Sequence, residues 1–114
     1  QQARMEDTVS IQKIYLGGKV GGADMGVFKV SPHGIGWRSS SGSGQKIAIE
    51  EREMKRANWV RVSEQFQLRL EISGGTIYKF DGFQKSQSEK VSHVLNKKLG
   101  LTVKNEELST KGWN

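Results

Sequence analysis

Carboxylate pairs, histidines and the aromatic and cationic side chains of a few strands are the residues of this sequence that could do chemistry. The acidic doublets Glu6-Asp7, Glu50-Glu51 and Glu106-Glu107 have the right type for general acid–base work. Neighbours along a strand face opposite sides, however, so such a doublet cannot converge on one substrate and reads as solvated charge. His33 and His93 have no partners at zinc-ligand spacing. His93 follows Glu89 by four residues, the spacing of an exposed helical pair, and His33 follows Pro32 in a turn. No Gly-x-Gly-x-x-Gly is present, and the one Gly-Lys step, Gly18-Lys19, runs on into Val20 rather than completing a phosphate loop. The serine nucleophile elbow is absent as well. With no Cys there are no disulfides or thiolate metal sites, which fits a reducing cytosolic or nuclear compartment. The expectation is a protein without catalysis, metal or cofactor.

Binding chemistry is better represented. Trp59 and Arg61 share one face of a strand on which Val60 and Val62 take the other. Burying the valines turns Trp59 and Arg61 outward, and a large aromatic beside Arg is the kind of pair that anchors an interface. Trp59 and Arg61 are therefore the candidate partner contacts, the alternative being that the core takes Trp59 and exposes the valines. Trp37 and the segment 66–72 read as core. A second set, Lys55, Arg56, Lys85, Lys90, Lys97 and Lys98, comprises the local excesses of positive charge and the candidates for contact with nucleic acid or histones. Lys97 and Lys98 also suit a helix C-terminus, where cations complement the macrodipole.

These residues need elements to hold them. Phe66, Leu68, Leu70 and Ile72 alternate with polar neighbours, which predicts a half-buried strand. Ser73-Gly74-Gly75 then supplies a tight hairpin into the β-rich run 76–80. Short apolar or alternating runs at 9–16, 27–30, 35–37, 47–49 and 59–62, separated by Gly-rich, Pro-containing and Ser-rich links, bring the expected strands to about seven, the spacing of a sandwich or barrel. After residue 83 the period lengthens. Val91, Val94, Leu95 and Leu99 fall on one helical face, Ser86-x-x-Glu89 has the form of a capping box, and Gly100 stands at the position of a left-handed stop. The predicted helix must bury its apolar stripe against the sheet or across the mouth of a barrel. Leu101 and Val103 alternate next, so the tail is expected to pack back on the domain before leaving it.

The 114 residues suit one domain, and no apolar run is long enough to span a bilayer as a helix. The chain is expected to be soluble. A formal charge of +6 invites an anionic partner. Yet each half, 1–57 and 58–114, carries nine basic and six acidic residues, so the excess is dispersed. Residues 1–4 are expected to be the remnant of an engineered fusion ahead of Met5, residues 5–110 the domain, and 111–114 the start of a linker to further domains.

Tyr78-Lys79-Phe80-Asp81-Gly82-Phe83, followed by a charged helix and by Lys111-Gly112-Trp113-Asn114, resembles the N-terminal domain of the small subunit of the FACT histone chaperone, the structure-specific recognition protein family. The resemblance runs from about residue 9 to 114 and includes the Trp59-x-Arg61-Val62 strand. It implies a mainly β, pleckstrin-homology-like bent barrel or sandwich of antiparallel strands capped by one C-terminal helix. It also implies a nuclear, chromatin-associated module that pairs with the dimerisation domain of FACT's large subunit, in a complex that reorganises nucleosomes in transcription, replication and repair. Histones and nucleosomal DNA would be met through the whole complex, with no membrane or small-molecule partner. Two alternatives remain: direct DNA or histone binding through the basic residues, and phosphoinositide binding. For the last, Lys13, Lys19 and Lys29 on the first hairpin make a sparse headgroup pocket. The Ser/Gly-rich loop 39–44 and the Gly-rich segment 20–23 depart from the family pattern, both in loops.

Overall fold

The computed structural model describes residues 8–17, 24–42, 44–97 and 100, with Lys98 and residues 103–107 described by their backbone. Eight strands form one continuous sheet: β1 (Val9–Leu16), β2 (Asp24–Ser31), β3 (Gly34–Ser39), β4 (Lys46–Glu50), β5 (Met54–Val62), β6 (Gln65–Ile72), β7 (Ile77–Phe83) and β8 (Val103–Glu107). Their spatial order is β4-β3-β2-β1-β7-β6-β5-β8. The first seven pair antiparallel, and β8 runs parallel to β5 at the far edge. The expected return of the tail is thus a strand. Residues 1–7, and with them the expected fusion remnant, lie outside the described residues, as do 108–114 and the expected linker.

One apolar core runs through β1–β7 and the helix: Ile14, Phe28, Val30, Leu68, Leu70, Phe80, Phe83 and Leu95 are wholly buried. A sheet can share one core among all its strands only if it curls, because a flat sheet has two faces too far apart to meet. Two irregularities supply the bend. In β1 the register with β2 slips between Ile11 and Ile14, and Lys13 there takes a positive φ of 60°. In β7, Gly82 has φ 108° and stands opposite the slip between Phe66 and Gln67 of β6. A Cβ on Gly82 would lie 3.1 Å from the carbonyl oxygen of Lys13, so the two bulges sit against each other where β1 crosses to β7. That crossing is short, with only Tyr15–Asp81 and Leu16–Phe80 in register.

The Ser73-Gly74-Gly75 hairpin is as predicted, with φ 94° and 93° at its glycines. Gly26 is demanded by packing instead: a Cβ there would collide with the carbonyl of Arg38 and come within 2.7 Å of the Trp37 indole. The Trp37 Nε1–H donates to the carbonyl oxygen of Ile14 at 3.0 Å, which satisfies both groups in the interior.

The helix, α1 (Lys85–His93), continues as a π-helical segment, Val94–Lys98. Val91, Val94 and Leu95 are buried on the face the periodicity assigned them; Leu99 lies outside the described residues. The start differs from expectation. The cap is Gln84, whose N–H donates to the Gln87 Oε1 at 2.8 Å, two residues before the Ser86-x-x-Glu89 frame. The physical reason is that β7 ends at Phe83, buried under the helix, so the chain must turn at once. Ser88, in place of an apolar residue, is buried on the core side, its hydroxyl donating to the Lys85 carbonyl at 2.7 Å. Gly100 has the predicted left-handed φ, 69°.

Leu70→Ala is expected to lower the unfolding free energy by about 2–5 kcal/mol in urea denaturation, since the side chain is wholly buried. Gly26→Ala is expected to cost about 1–3 kcal/mol in the same assay through overpacking against Trp37.

Candidate partner-binding surface

Alternation on β5 works in the sense opposite to the outward one. Trp59 is 1% exposed and belongs to the core; it is not an interface anchor. The bent sheet needs a large side chain here to meet the helix. The indole packs edge-on to Phe83 with centroids 5.0 Å apart and to Phe66 at 6.5 Å, and its Nε1–H donates to the Ser92 hydroxyl of α1 at 2.6 Å. Val60 is buried on the other side of the strand, while Val62, at the strand's end, is exposed. Arg61 shares the parity of Trp59 but stands beyond the core, exposed, with its Nε–H donating to the carbonyl of Ser63 at 3.3 Å in the tight β5–β6 turn. It remains a surface candidate.

The six basic candidates do not make one patch. Lys55 and Arg56 lie at the Met54 end of β5, where the register with β6 slips. Arg56 is engaged: its Nε–H donates to the Glu71 carboxylate at 2.6 Å, and that hydrogen bond and charge raise its pKa, so it stays cationic at any ordinary pH. The helix starts from Phe83, paired with Phe66, which in turn faces Arg61. Lys85 therefore begins near the Arg61 end, about 20 Å along the strand from Lys55 at roughly 3.3 Å per residue. Lys85, Lys90 and Lys97 are exposed on the helix; the Lys98 side chain lies outside the described residues.

The structure does gather cations elsewhere. On the outer face of β2, β3 and β4, Arg38 stands directly opposite Lys46, with Val27 on its other side, and Lys29 lies one row along, opposite Gly36. Lys29, Arg38 and Lys46 rim a shallow hollow of about 210 Å³ floored by Gly36, Trp37 and Ile47. On the inner side of β4, Ile47 joins Leu16, Ile77 and Tyr78 around a cleft of about 630 Å³. Ile77 there is 53% exposed, the most exposed of the large apolar side chains described. Along the sequence Lys29 falls with Lys13 and Lys19 on the first hairpin, and Lys19 lies outside the described residues. The three cations of the hollow are spread from residue 29 to residue 46, and only the strand register unites them. The usable signal was that each is the outward member of an alternating strand.

Among the described residues no three His, Asp or Glu side chains are placed to hold a metal ion, and no helix is long and apolar enough to cross a membrane. The curled antiparallel sheet with a single C-terminal helix over its core defines the class of protein: a pleckstrin-homology-like domain. A solved structure titled "Structure of the Spt16D Pob3N heterodimer" superposes with a TM-score of 0.78 at 22% identity, over 94% of this chain and 58% of that one. The C-terminal domain of a protein of unknown function from Leishmania infantum superposes at 0.63, with 14% identity, over 80% of this chain and 82% of that one. A family model described as the POB3-like N-terminal PH domain matches residues 9–105, and the chain belongs to that family. It is 38% identical over 103 residues to a Dictyostelium discoideum FACT complex subunit SSRP1, covering 89% of this chain and 19% of that protein. It is 32% identical over 110 residues to the Zea mays FACT complex subunit SSRP1, covering 96% and 17% respectively. The chain thus spans under a fifth of the length of these relatives.

Ser92→Val leaves the buried Trp59 N–H without its acceptor and is expected to cost about 1–3 kcal/mol, with a shift in tryptophan emission on the same denaturation curve. Ser86→Ala, at an exposed position that does not cap the helix, is expected to change stability by less than about 0.5 kcal/mol.

Proposed function

We propose that this chain is a non-catalytic heterodimerisation module of a FACT-type histone chaperone, held by the dimerisation domain of the large subunit so that the complex can reorganise nucleosomes in transcription, replication and repair. On this reading it works in the nucleus, on chromatin. The observation that carries it is the fold match over nearly the whole chain to a structure whose title pairs Pob3N with Spt16D, together with relatives named as FACT subunits. The domain's own build supports it: among the described residues Trp37, Trp59, Phe28, Phe80 and Phe83 are spent on the core, which leaves sheet faces, a sheet edge and the helix as surface. Arg61, exposed beside a tight turn, is the candidate contact that survives from the sequence.

Direct contact with DNA or histones is the second reading, favoured by Lys85, Lys90 and Lys97 standing exposed on one helix without ion-pair partners among the described residues. In this reading the binding is electrostatic and the lysines act together.

Mixed with the large subunit's dimerisation domain in analytical ultracentrifugation, the chain is expected to give a 1:1 species at micromolar concentration, with an interface of roughly 1,600 Å² in total. Separate sedimentation overturns the first reading. A log–log plot of DNA affinity against salt is expected to be nearly flat; a steep slope that falls on substituting the three helix lysines establishes the second instead.

A further inference from the structure

We propose that the β4 edge captures an extended peptide in which acidic and apolar residues alternate, adding it to the sheet as a further strand. The inference stands apart from the heterodimer reading and is tested on this chain alone.

β4 is a terminal strand of the sheet. Its ladder to β3 decides which of its backbone groups face outward. The Ser39 N–H donates to the Gln45 carbonyl at 2.9 Å, and the Glu51 N–H donates to the His33 carbonyl at 3.0 Å. Antiparallel pairs alternate between bonded and non-bonded, so Ile47 and Ile49 bond to Trp37 and Ile35, while Lys46, Ala48 and Glu50 present their N–H and C=O groups to an edge that no strand covers among the described residues. The Glu50 end is closed: its N–H donates to the Glu53 carboxylate and its own carboxylate pairs with Arg52 at 2.9 Å. Lys46 and Ala48 are left as the docking stretch.

The two sides of that stretch differ in chemistry. On the outer side Arg38 and Lys46 are direct cross-strand neighbours in a non-bonded pair, the arrangement that brings side chains closest, and like charges so placed repel. Neither has a carboxylate within ion-pair distance among the described residues, and Lys29 adds a third cation to the same hollow. An anionic group above Gly36 would relieve that repulsion. On the inner side, Ile47 opens on the cleft with Leu16, Ile77 and Tyr78. A strand laid along β4 would set the side chains opposite Lys46 and Ala48 on the cationic face and the one opposite Ile47 against the Leu16, Ile77 and Tyr78 part of the cleft, whose rim Gln45, Thr76 and Lys79 complete. Alternate acidic and apolar residues satisfy both. A nucleic acid offers phosphates for the hollow but neither a ladder for the edge nor apolar side chains for the cleft, so a polypeptide is the occupant the site fits.

The test uses fluorescence anisotropy with a labelled peptide of about nine alternating Glu and Val residues, a peptide of the same composition with the Glu and Val in two blocks, and a short DNA duplex. The alternating peptide is expected to bind at least about tenfold tighter than either control. Ala48→Pro removes one outward N–H without touching the β3 ladder and is expected to weaken binding about tenfold or more, as is Lys46→Glu, with thermal melts near that of the parent. Equal binding of the block peptide, tighter binding of the duplex, or unchanged affinity in a folded Ala48→Pro protein overturns the proposal. If Ala48→Pro does not fold, Lys46→Glu decides: lost affinity supports the site and unchanged affinity overturns it.

Discussion

The contact of Trp59 with the helix holds the molecule in its shape. Phe28 and Phe83 meet edge-to-face at 5.0 Å, Phe83 meets Trp59 in the same way, and the indole is tied to Ser92 by a 2.6 Å hydrogen bond. The chain of rings runs from β2 through β7 to β5, from one half of the sheet to the other, and Val91 and Leu95 are buried along with it. Such aromatic pairs add about 0.5–1.5 kcal/mol each beyond the area they bury. Their larger effect here is geometric: the two halves share only a two-pair ladder between β1 and β7, so the rings and the helix set how far the sheet curls.

The curl has a backbone cause as well. A sheet of long regular strands twists but does not fold onto itself, and the bulges at Lys13 and Gly82, set against each other, provide the sharp corner. The consequence is an asymmetric surface. At one edge β5 is covered by the returning β8, in parallel. At the other, β4 has no further strand among the described residues, with cations on its outer side and, on its inner side, a cleft to which Leu16, Ile47, Ile77 and Tyr78 contribute apolar surface. Natural sheets commonly blunt such an edge with charge, and Lys46 beside Arg38 does so here. The same charge that repels another copy's cationic edge would favour an acidic strand.

Membership of the POB3-like N-terminal PH domain family sits well with this build. Among the described residues the largest side chains, Trp37 and Trp59, lie in the interior. On the proposed reading, what matters on such a scaffold is which surface meets which polypeptide, and that depends on residues brought together from separate strands.

Much was legible from the sequence alone, because it depends on local order. The alternation of residues 66–72, the paired glycines at 74 and 75, the helical face of Val91, Val94 and Leu95, and the stop at Gly100 are short-range patterns tied to backbone geometry, and each is found where it was read. The Tyr78–Phe83 motif and the Lys111-Gly112-Trp113-Asn114 ending, at their mutual spacing, together pointed to the family. What only the tertiary structure decided was which face of a two-faced strand turns inward and which distant cations become neighbours. Trp59 and Val60 have equal claims to burial along the chain; the core took Trp59, and Val60 is buried on the opposite face of the strand. The helix began at Gln84 because Phe83 had to be covered. Lys29, Arg38 and Lys46 lie within one stretch of sequence, but they became neighbours only through the register of three strands, which the order of residues along the chain does not state.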